Sequence, residues 1–140
     1  MQVQSGKVAS NGIELFYDER GPKQGEAIVF VMGLSAQMVF WPEPLLNDLA
    51  ERGYRVIRFD NRDVGLSTRL RGTLSHNPMS LMGRYMAGLQ IKAPYTLHDM
   101  VDDTCGLLDA LGIQRAHLVG ASMGGMISQL TAAHRPDRVA

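Results

Sequence analysis

The chain has 140 residues, of which 45% are hydrophobic and 20% are charged, as in an ordinary globular domain. The formal net charge is zero, so nothing attracts the chain electrostatically to nucleic acid or to an anionic membrane. The longest apolar run, residues 27–34, is too short to span a bilayer, and the N-terminus has no signal-peptide pattern. The single cysteine, Cys105, excludes an intrachain disulfide. We therefore predict a cytoplasmic protein without a nucleic-acid partner or a membrane span.

The first half of the chain predicts a strand-rich segment with one helix. Asn11-Gly12 is a strong hairpin signal between two alternating runs, and residues 27–31 form a continuous apolar run typical of a strand buried on both faces. The prolines and leucines that follow predict a helix that stops at Gly53. In chain order the predicted elements are strands at 3–9, 13–18 and 27–31, a helix at 42–50 and a strand at 54–59.

The second half begins with an irregular stretch, residues 61–94, within which a short helix is predicted at 81–89. Thr96 and Asp99 form a capping box that opens a helix ending at Gly112. Its apolar stripe is predicted to face the core, and the opposite side carries four acidic residues, Asp99, Asp102, Asp103 and Asp109. A strand at 116–119 and a helix at 123–134 follow. This alternation predicts an α/β fold, a mostly parallel sheet with helices on both faces and an antiparallel hairpin at one edge.

The segment from Gly120 to Gly124 carries the clearest chemical signal, because it is a G-x-S-x-G pattern between a buried strand and a helix. A serine at such a junction sits on a sharp, strained turn, so the residues two positions away on each side must be very small. The turn exposes the Ser122 hydroxyl above the sheet. The new helix begins at once, so the N–H of Met123 is free to stabilise a developing oxyanion.

With these flanking elements the chain resembles the N-terminal half of the α/β-hydrolase family. Three segments carry the resemblance: the turn Met32-Gly33-Leu34 after the third strand, the Asp-x-Arg-x-x-Gly-x-Ser segment at residues 60–67, and the elbow at Ser122. The resemblance implies Ser122 as the catalytic nucleophile and the N–H groups of Leu34 and Met123 as the oxyanion hole. It implies a structural role for residues 60–67. Many family members have His-Gly where this chain has Met32-Gly33, which removes one polar anchor of that turn.

The resemblance also implies the strand order 1-2-4-3-5 and places residues 1–140 in the N-terminal part of a single α/β-hydrolase domain. The last strands, the cap and the triad acid and histidine are then expected in a C-terminal part, in the same polypeptide or as a separate chain. None of the four histidines is a suitable base. His134 lies far along the helix from Ser122, His117 starts the strand at the wrong end, His98 is on a polar helix face, and His76 is in the irregular loop.

The resemblance implies a serine hydrolase of small carboxylic esters or lactones that works through an acyl-enzyme, without a cofactor or metal. The isolated fragment is expected to be inactive. C–C bond hydrolysis and cofactor-free haloperoxidase chemistry use the same triad and stay open, as does a non-catalytic fragment with a vestigial elbow. Met38, Trp41 and Met86 are candidates for an apolar substrate pocket, and plain core packing is the alternative for them.

Overall fold

The computed structural model of the chain describes residues 2–70, 78–91 and 93–140. Every predicted strand and helix is present in the predicted order, and the short helix of the irregular stretch begins and ends three residues earlier than predicted. The strands are β1 (Gln4–Ser10), β2 (Ile13–Arg20), β3 (Ala27–Val31), β4 (Arg55–Phe59) and β5 (His117–Gly120); the α-helices are α1 (Glu43–Glu51), α2 (Pro78–Met86), α3 (Leu97–Ala110) and α4 (Met123–His134); and 3₁₀ turns cover Met38–Phe40 and Pro136–Arg138.

The strands form one sheet in the order β1-β2-β4-β3-β5, which confirms the predicted order. β2 is antiparallel to both of its neighbours, whereas β3 is parallel to β4 and to β5. Four of the five strands therefore run in one direction. The hairpin between β1 and β2 turns at Asn11 and Gly12, whose φ angles of 48° and 78° are those that a two-residue type I′ turn requires.

β2 continues two residues beyond its predicted end, because its charged residues pair across the sheet with β4. Asp18 lies 2.8 Å from an Nη atom of Arg58, and Glu19 lies 2.7 Å from an Nη atom of Arg55. All four side chains are buried. Charged residues at a strand end predict exposure from sequence alone, but paired charges that satisfy one another can remain inside.

Apolar side chains pack on both faces of the sheet, which explains the uninterrupted apolar run of β3. On one face Val29 and Val31 contact residues of α3 and α4, including Leu108 and Ile127. On the other face Phe30 and its neighbours contact α1. Helices therefore cover both faces, as the α/β pattern predicts. In the described part of the chain, no helix is long and apolar enough to cross a membrane.

Asp103 corrects the predicted solvent face of α3, because it is buried and only 2% exposed. Its two carboxylate oxygens accept hydrogen bonds of 2.6 and 2.7 Å from Arg62, in the loop after β4. The Asn11 side chain donates a further bond of 3.0 Å to the same carboxylate. This hydrogen-bonded carboxylate raises the pKa of the Arg62 guanidinium. Helical periodicity places an aspartate on a helix face, but it cannot reveal an arginine that arrives from elsewhere in the chain.

The outer side of β5 pairs at one end only, as far as the described ranges extend. Ala116 and Val139 form an isolated parallel bridge, in which Ala116 N–H donates to the Arg138 carbonyl at 3.1 Å. Ala140 N–H then donates to the Ala116 carbonyl at 3.0 Å. Val119, the second-to-last residue of β5 before the elbow, is exposed. This bridge is the third parallel pairing among the described residues, and it lies at the end of β5 that is remote from Ser122.

We expect Asp103→Ala to lower the free energy of unfolding by about 3–5 kcal/mol, because it leaves the buried Arg62 guanidinium without its counter-charge. Urea denaturation of the protein expressed from its complete gene measures the change. Asp102→Ala is the matched control, since Asp102 is the adjacent acidic residue on the same helix and is exposed. It should stay within about 0.5 kcal/mol of wild type. Equal losses in the two variants would contradict the buried ion pair.

Candidate active site

Ser122 lies on an abrupt junction between β5 and α4. β5 ends at Gly120 and α4 begins at Met123, so only two residues connect the strand to the helix. Ser122 has φ 52° and ψ −120°, a region that residues with a Cβ rarely adopt. Its side chain is exposed and does not cap the helix. The strained backbone therefore presents a hydroxyl to the solvent side of the junction.

Two glycines make this junction possible because the backbone packs against itself. A Cβ on Gly120 would collide with the carbonyl group of Gly124, and a Cβ on Gly124 would collide with the carbonyl group of Val31 at the end of β3. The third glycine is different, because a Cβ on Gly125 would meet its nearest atom, the Gly120 oxygen, at 3.5 Å. The two glycines of the G-x-S-x-G pattern are thus required by contact, and the next glycine is not.

Two backbone N–H groups beside Ser122 have no acceptor within residues 2–70, 78–91 and 93–140. They belong to Met123, the first residue of α4, and to Leu34, in the turn after β3. The N–H groups that follow Met123 are bonded, since Gly124 donates to Ala121 at 2.8 Å. The turn lies close to the serine, because a Cβ on Gly33 would be 3.2 Å from the Ser122 Cβ. Free amides at a helix N-terminus favour negative charge.

A small cavity of about 60 Å³ is lined by both Leu34 and Met123. The sequence predicts these two residues but does not predict the polar residues that line the rest of the cavity. The segment at residues 60–67 is the sequence feature that could have identified Asn61, Arg62 and Asp63 as lining residues. No sequence feature points to Tyr95. The remaining lining residues are Ser35, Asn61, Arg62, Asp63, Val64, Tyr95 and Met100.

Tyr95 cannot serve as a base at neutral pH. Burial raises the pKa of its phenol to about 12, and a hydrogen bond with Asp63 acts in the same direction. Its ring also faces the Arg62 guanidinium, whose central carbon is 4.8 Å from the ring centre. Tyr95 therefore contributes a neutral hydroxyl and an aromatic face to the cavity.

The loop after β4 supports the turn that holds Leu34. The Asp60 carboxylate accepts hydrogen bonds from the N–H of Met38 at 2.8 Å and of Leu66 at 3.0 Å. Gly65, with φ 53°, lies so close to this carboxylate that a Cβ would collide with it. The Asn61 side-chain nitrogen donates to the Met32 carbonyl at 2.8 Å. These contacts confirm the predicted structural role of residues 60–67 next to the turn.

No histidine in the described ranges hydrogen-bonds to Ser122. His98 and His134 are exposed, and their rings contact each other edge to face at 4.9 Å between centroids. His117, at the other end of β5 from Ser122, lies 2.9 Å from a carboxylate oxygen of Glu26. His76 lies outside the described residues. Among the residues described, no group of three or more His, Cys, Asp or Glu side chains is arranged to hold a metal ion.

The three residues considered for an apolar pocket lie in different surroundings, and none lines the 60 Å³ cavity. Met38 is buried next to Asp60. The Trp41 ring packs edge-on against Phe30, at 4.9 Å between centroids, on the α1 face of the sheet. Met86 is exposed at the end of α2. The position of Trp41 favours the core-packing alternative, and a pocket role for Met38 and Met86 stays a prediction.

Comparison with known proteins agrees with this architecture. The family model described as the alpha/beta hydrolase fold matches residues 26–140. The chain belongs to the α/β-hydrolase fold family. The predicted resemblance is thereby confirmed, and the elbow and the neighbouring turn are parts of an α/β-hydrolase fold.

Relatives of this α/β-hydrolase chain act on several kinds of bond, according to their names. RutD from Variovorax paradoxus (strain S110), named as a carbamate hydrolase, is 36% identical over 126 residues, which is 90% of this chain and 40% of RutD. Rhodomycin D methylesterase DauP from Streptomyces sp. (strain C5) is 27% identical over 132 residues, 94% of this chain and 38% of DauP. The crystal structure of the enol-lactonase from Burkholderia xenovorans LB400 is 30% identical with a TM-score of 0.76, over 96% of this chain and 44% of the lactonase. The chain thus spans about two fifths of the length of these curated relatives.

We expect Gly124→Ala to destabilise the α/β-hydrolase fold by about 1–3 kcal/mol or more, because its Cβ would have to displace the backbone of β3. Gly125→Ala is the matched control, one residue further along α4. It should be neutral or slightly stabilising, since its Cβ meets only an ordinary contact and alanine favours a helix. Thermal denaturation of the two variants measures the difference. A stable Gly124→Ala protein would contradict the close contact between elbow and strand.

Proposed function

We propose that Ser122 is the nucleophile of a serine hydrolase that cleaves carboxylic esters or lactones through an acyl-enzyme. One observation carries the proposal: an exposed hydroxyl on a strained backbone lies beside two residues whose backbone N–H groups are unbonded and which line one cavity. A strained residue persists only where its surroundings enforce it, and such strain concentrates at functional sites. The oxyanion of an acyl-transfer intermediate needs paired, preorganised donors of this kind.

In the proposed reaction, the Ser122 Oγ attacks the carbonyl carbon of the ester while a base accepts the hydroxyl proton. The N–H groups of Leu34 and Met123 donate hydrogen bonds to the oxygen that becomes negatively charged. The intermediate collapses, the alcohol leaves with the proton, and an acyl group remains on Ser122. Water then attacks this ester, and the carboxylic acid departs as the Ser122 hydroxyl reforms.

We place the base and its acidic partner outside the 140 residues. Two observations support this: no described histidine contacts Ser122, and the curated relatives are more than twice as long as the chain. In this fold the acid and the histidine follow the serine in the sequence. The proposal therefore requires the C-terminal part of the protein, and we expect the 140 residues alone to lack efficient turnover.

The names of two relatives support the substrate class. A methylesterase and an enol-lactonase both break a bond at an ester carbonyl. A carbamate is a second candidate, because the relative named as a carbamate hydrolase is 36% identical. A carbamate carbonyl would be attacked by the same atoms and would leave a carbamoyl group on Ser122. Steady-state rates on matched esters, lactones and carbamates separate these classes.

Ser122→Ala should abolish the burst of p-nitrophenol from p-nitrophenyl acetate and lower kcat by about 10⁴- to 10⁶-fold, because no acyl-enzyme can form. The measurement is stopped-flow absorbance on the protein expressed from its complete gene. Labelling by a fluorophosphonate probe should be lost in the same variant, since only an activated serine reacts quickly.

Ser128→Ala is the matched control for this experiment. Ser128 is a serine within α4, two turns from the elbow at most, and its hydroxyl donates to the Gly124 carbonyl at 2.8 Å. It should retain the burst and the labelling. Wild-type labelling that persists in Ser122→Ala would refute the proposed nucleophile, and a wild-type protein that neither bursts nor labels would refute the proposed serine hydrolase.

A further inference from the structure

Asn61 is a buried amide that ties the loop after β4 to the turn after β3. It is 3% exposed, and its side-chain nitrogen donates to the Met32 carbonyl at 2.8 Å. Its own backbone is fixed, because its carbonyl accepts a hydrogen bond from Val64 N–H at 3.1 Å. Asn61 also lines the cavity shared by Leu34 and Met123. The Asn61 side chain thus holds the Met32 carbonyl, two residues before Leu34, from a backbone that is itself hydrogen-bonded.

The direction of the Leu34 N–H depends on the two peptide groups that flank Gly33. The peptide between Gly33 and Leu34 is planar, so its N–H points away from its carbonyl. That carbonyl accepts a hydrogen bond from Ala36 N–H at 3.3 Å. The preceding peptide, which carries the Met32 carbonyl, is held by Asn61. Glycine at position 33 allows wide rotation about the backbone bonds between these two peptide planes, so each plane needs its own hydrogen bond to fix its orientation.

The Met32 side chain cannot supply this anchor, because a thioether is at most a weak hydrogen-bond acceptor. Without Asn61, the Met32 carbonyl would be a buried acceptor lacking a partner, which is unfavourable. The joint at Gly33 would then allow the peptide to rotate toward another donor. Such a rotation would also change where the Leu34 N–H points.

We propose that Asn61 is a positioning residue for the oxyanion site, which holds the turn so that the Leu34 N–H and the Met123 N–H converge. This inference rests on the proposed function, because it assigns Asn61 to the same site. Asn61 touches no reacting atom. Its role is to fix a backbone donor in advance, so that no reorganisation is needed when negative charge develops.

The test compares Asn61→Leu and Asn61→Asp with wild type in the protein expressed from its complete gene. Loss of an oxyanion donor costs about 10²–10³-fold in kcat, so a misdirected donor should lower kcat by about 10–100-fold. The KM for p-nitrophenyl acetate should stay nearly unchanged, and the affinity for a trifluoromethyl ketone should fall by the same factor as kcat.

Asn61→Asp adds a readout that simple loss of packing would not give. The carboxylate matches asparagine in shape but lacks a donor, and it regains one when it is protonated. Relative to wild type at each pH, the activity of this variant should rise as the pH falls, and the activity of Asn61→Leu should not. A flat ratio for both variants would overturn the hydrogen-bond role.

Asn47→Leu is the matched control. Asn47 lies on α1 and not in the loop after β4, and its side-chain oxygen accepts a hydrogen bond from Arg20 at 2.9 Å. It should lower stability without changing kcat or the pH profile. If Asn61→Leu behaves like this control, the positioning role is overturned and the proposed function stands. If wild type shows no Ser122-dependent turnover, both the proposed function and the positioning role are overturned.

Discussion

The elbow rests directly on the end of β3, and the candidate site depends on this contact. Gly124 at the start of α4 lies so close to the Val31 carbonyl group that no side chain fits between them. Ala121 N–H also donates to the Val31 carbonyl at 3.0 Å. The next residues after Val31 form the turn that carries Leu34. These backbone contacts with Val31 therefore bring the serine hydroxyl and the two residues with unbonded amides next to one another.

A buried polar layer behind this contact keeps the turn in place. Asp60 and Asn61 reach back from the loop after β4, one to the N–H of Met38 and the other to the carbonyl of Met32. The next residue, Arg62, continues the layer to Asp103 on α3. The loop after β4 is thus attached both to the candidate site and to the helix layer. This arrangement links the stability of the sheet to the geometry of the proposed oxyanion site.

Much of the fold followed from local sequence patterns. The hairpin at Asn11-Gly12, the apolar run of β3 and the elbow at Ser122 are determined by residues close together in the chain, so local rules identified them. The strand order came from the family resemblance and was confirmed.

The errors arose where a distant partner decides burial. Asp103 looked solvent-facing because its partner, Arg62, comes from another element. Tyr95 lines the cavity because of where the chain lies just before α3, and no sequence pattern near Tyr95 predicts that position. For Trp41 the sequence leaves a pocket role and core packing open, and its contact with Phe30 favours core packing. Hydropathy can indicate that such residues are buried, but it does not say against what.

The pairing of β3 with both β4 and β5 has a consequence for how the site is made during synthesis. Contacts between β3 and β4 join segments that emerge early from the ribosome, whereas β5 and the elbow emerge much later. Bringing distant segments together carries a larger loop-closure cost and slows folding. The turn that holds Leu34 can therefore form before the elbow, but the two come together only when Gly124 has been translated and packs against Val31. The junction at Ser122 therefore forms later than the pairing of β3 with β4, and the proposed base and acid would join it later still.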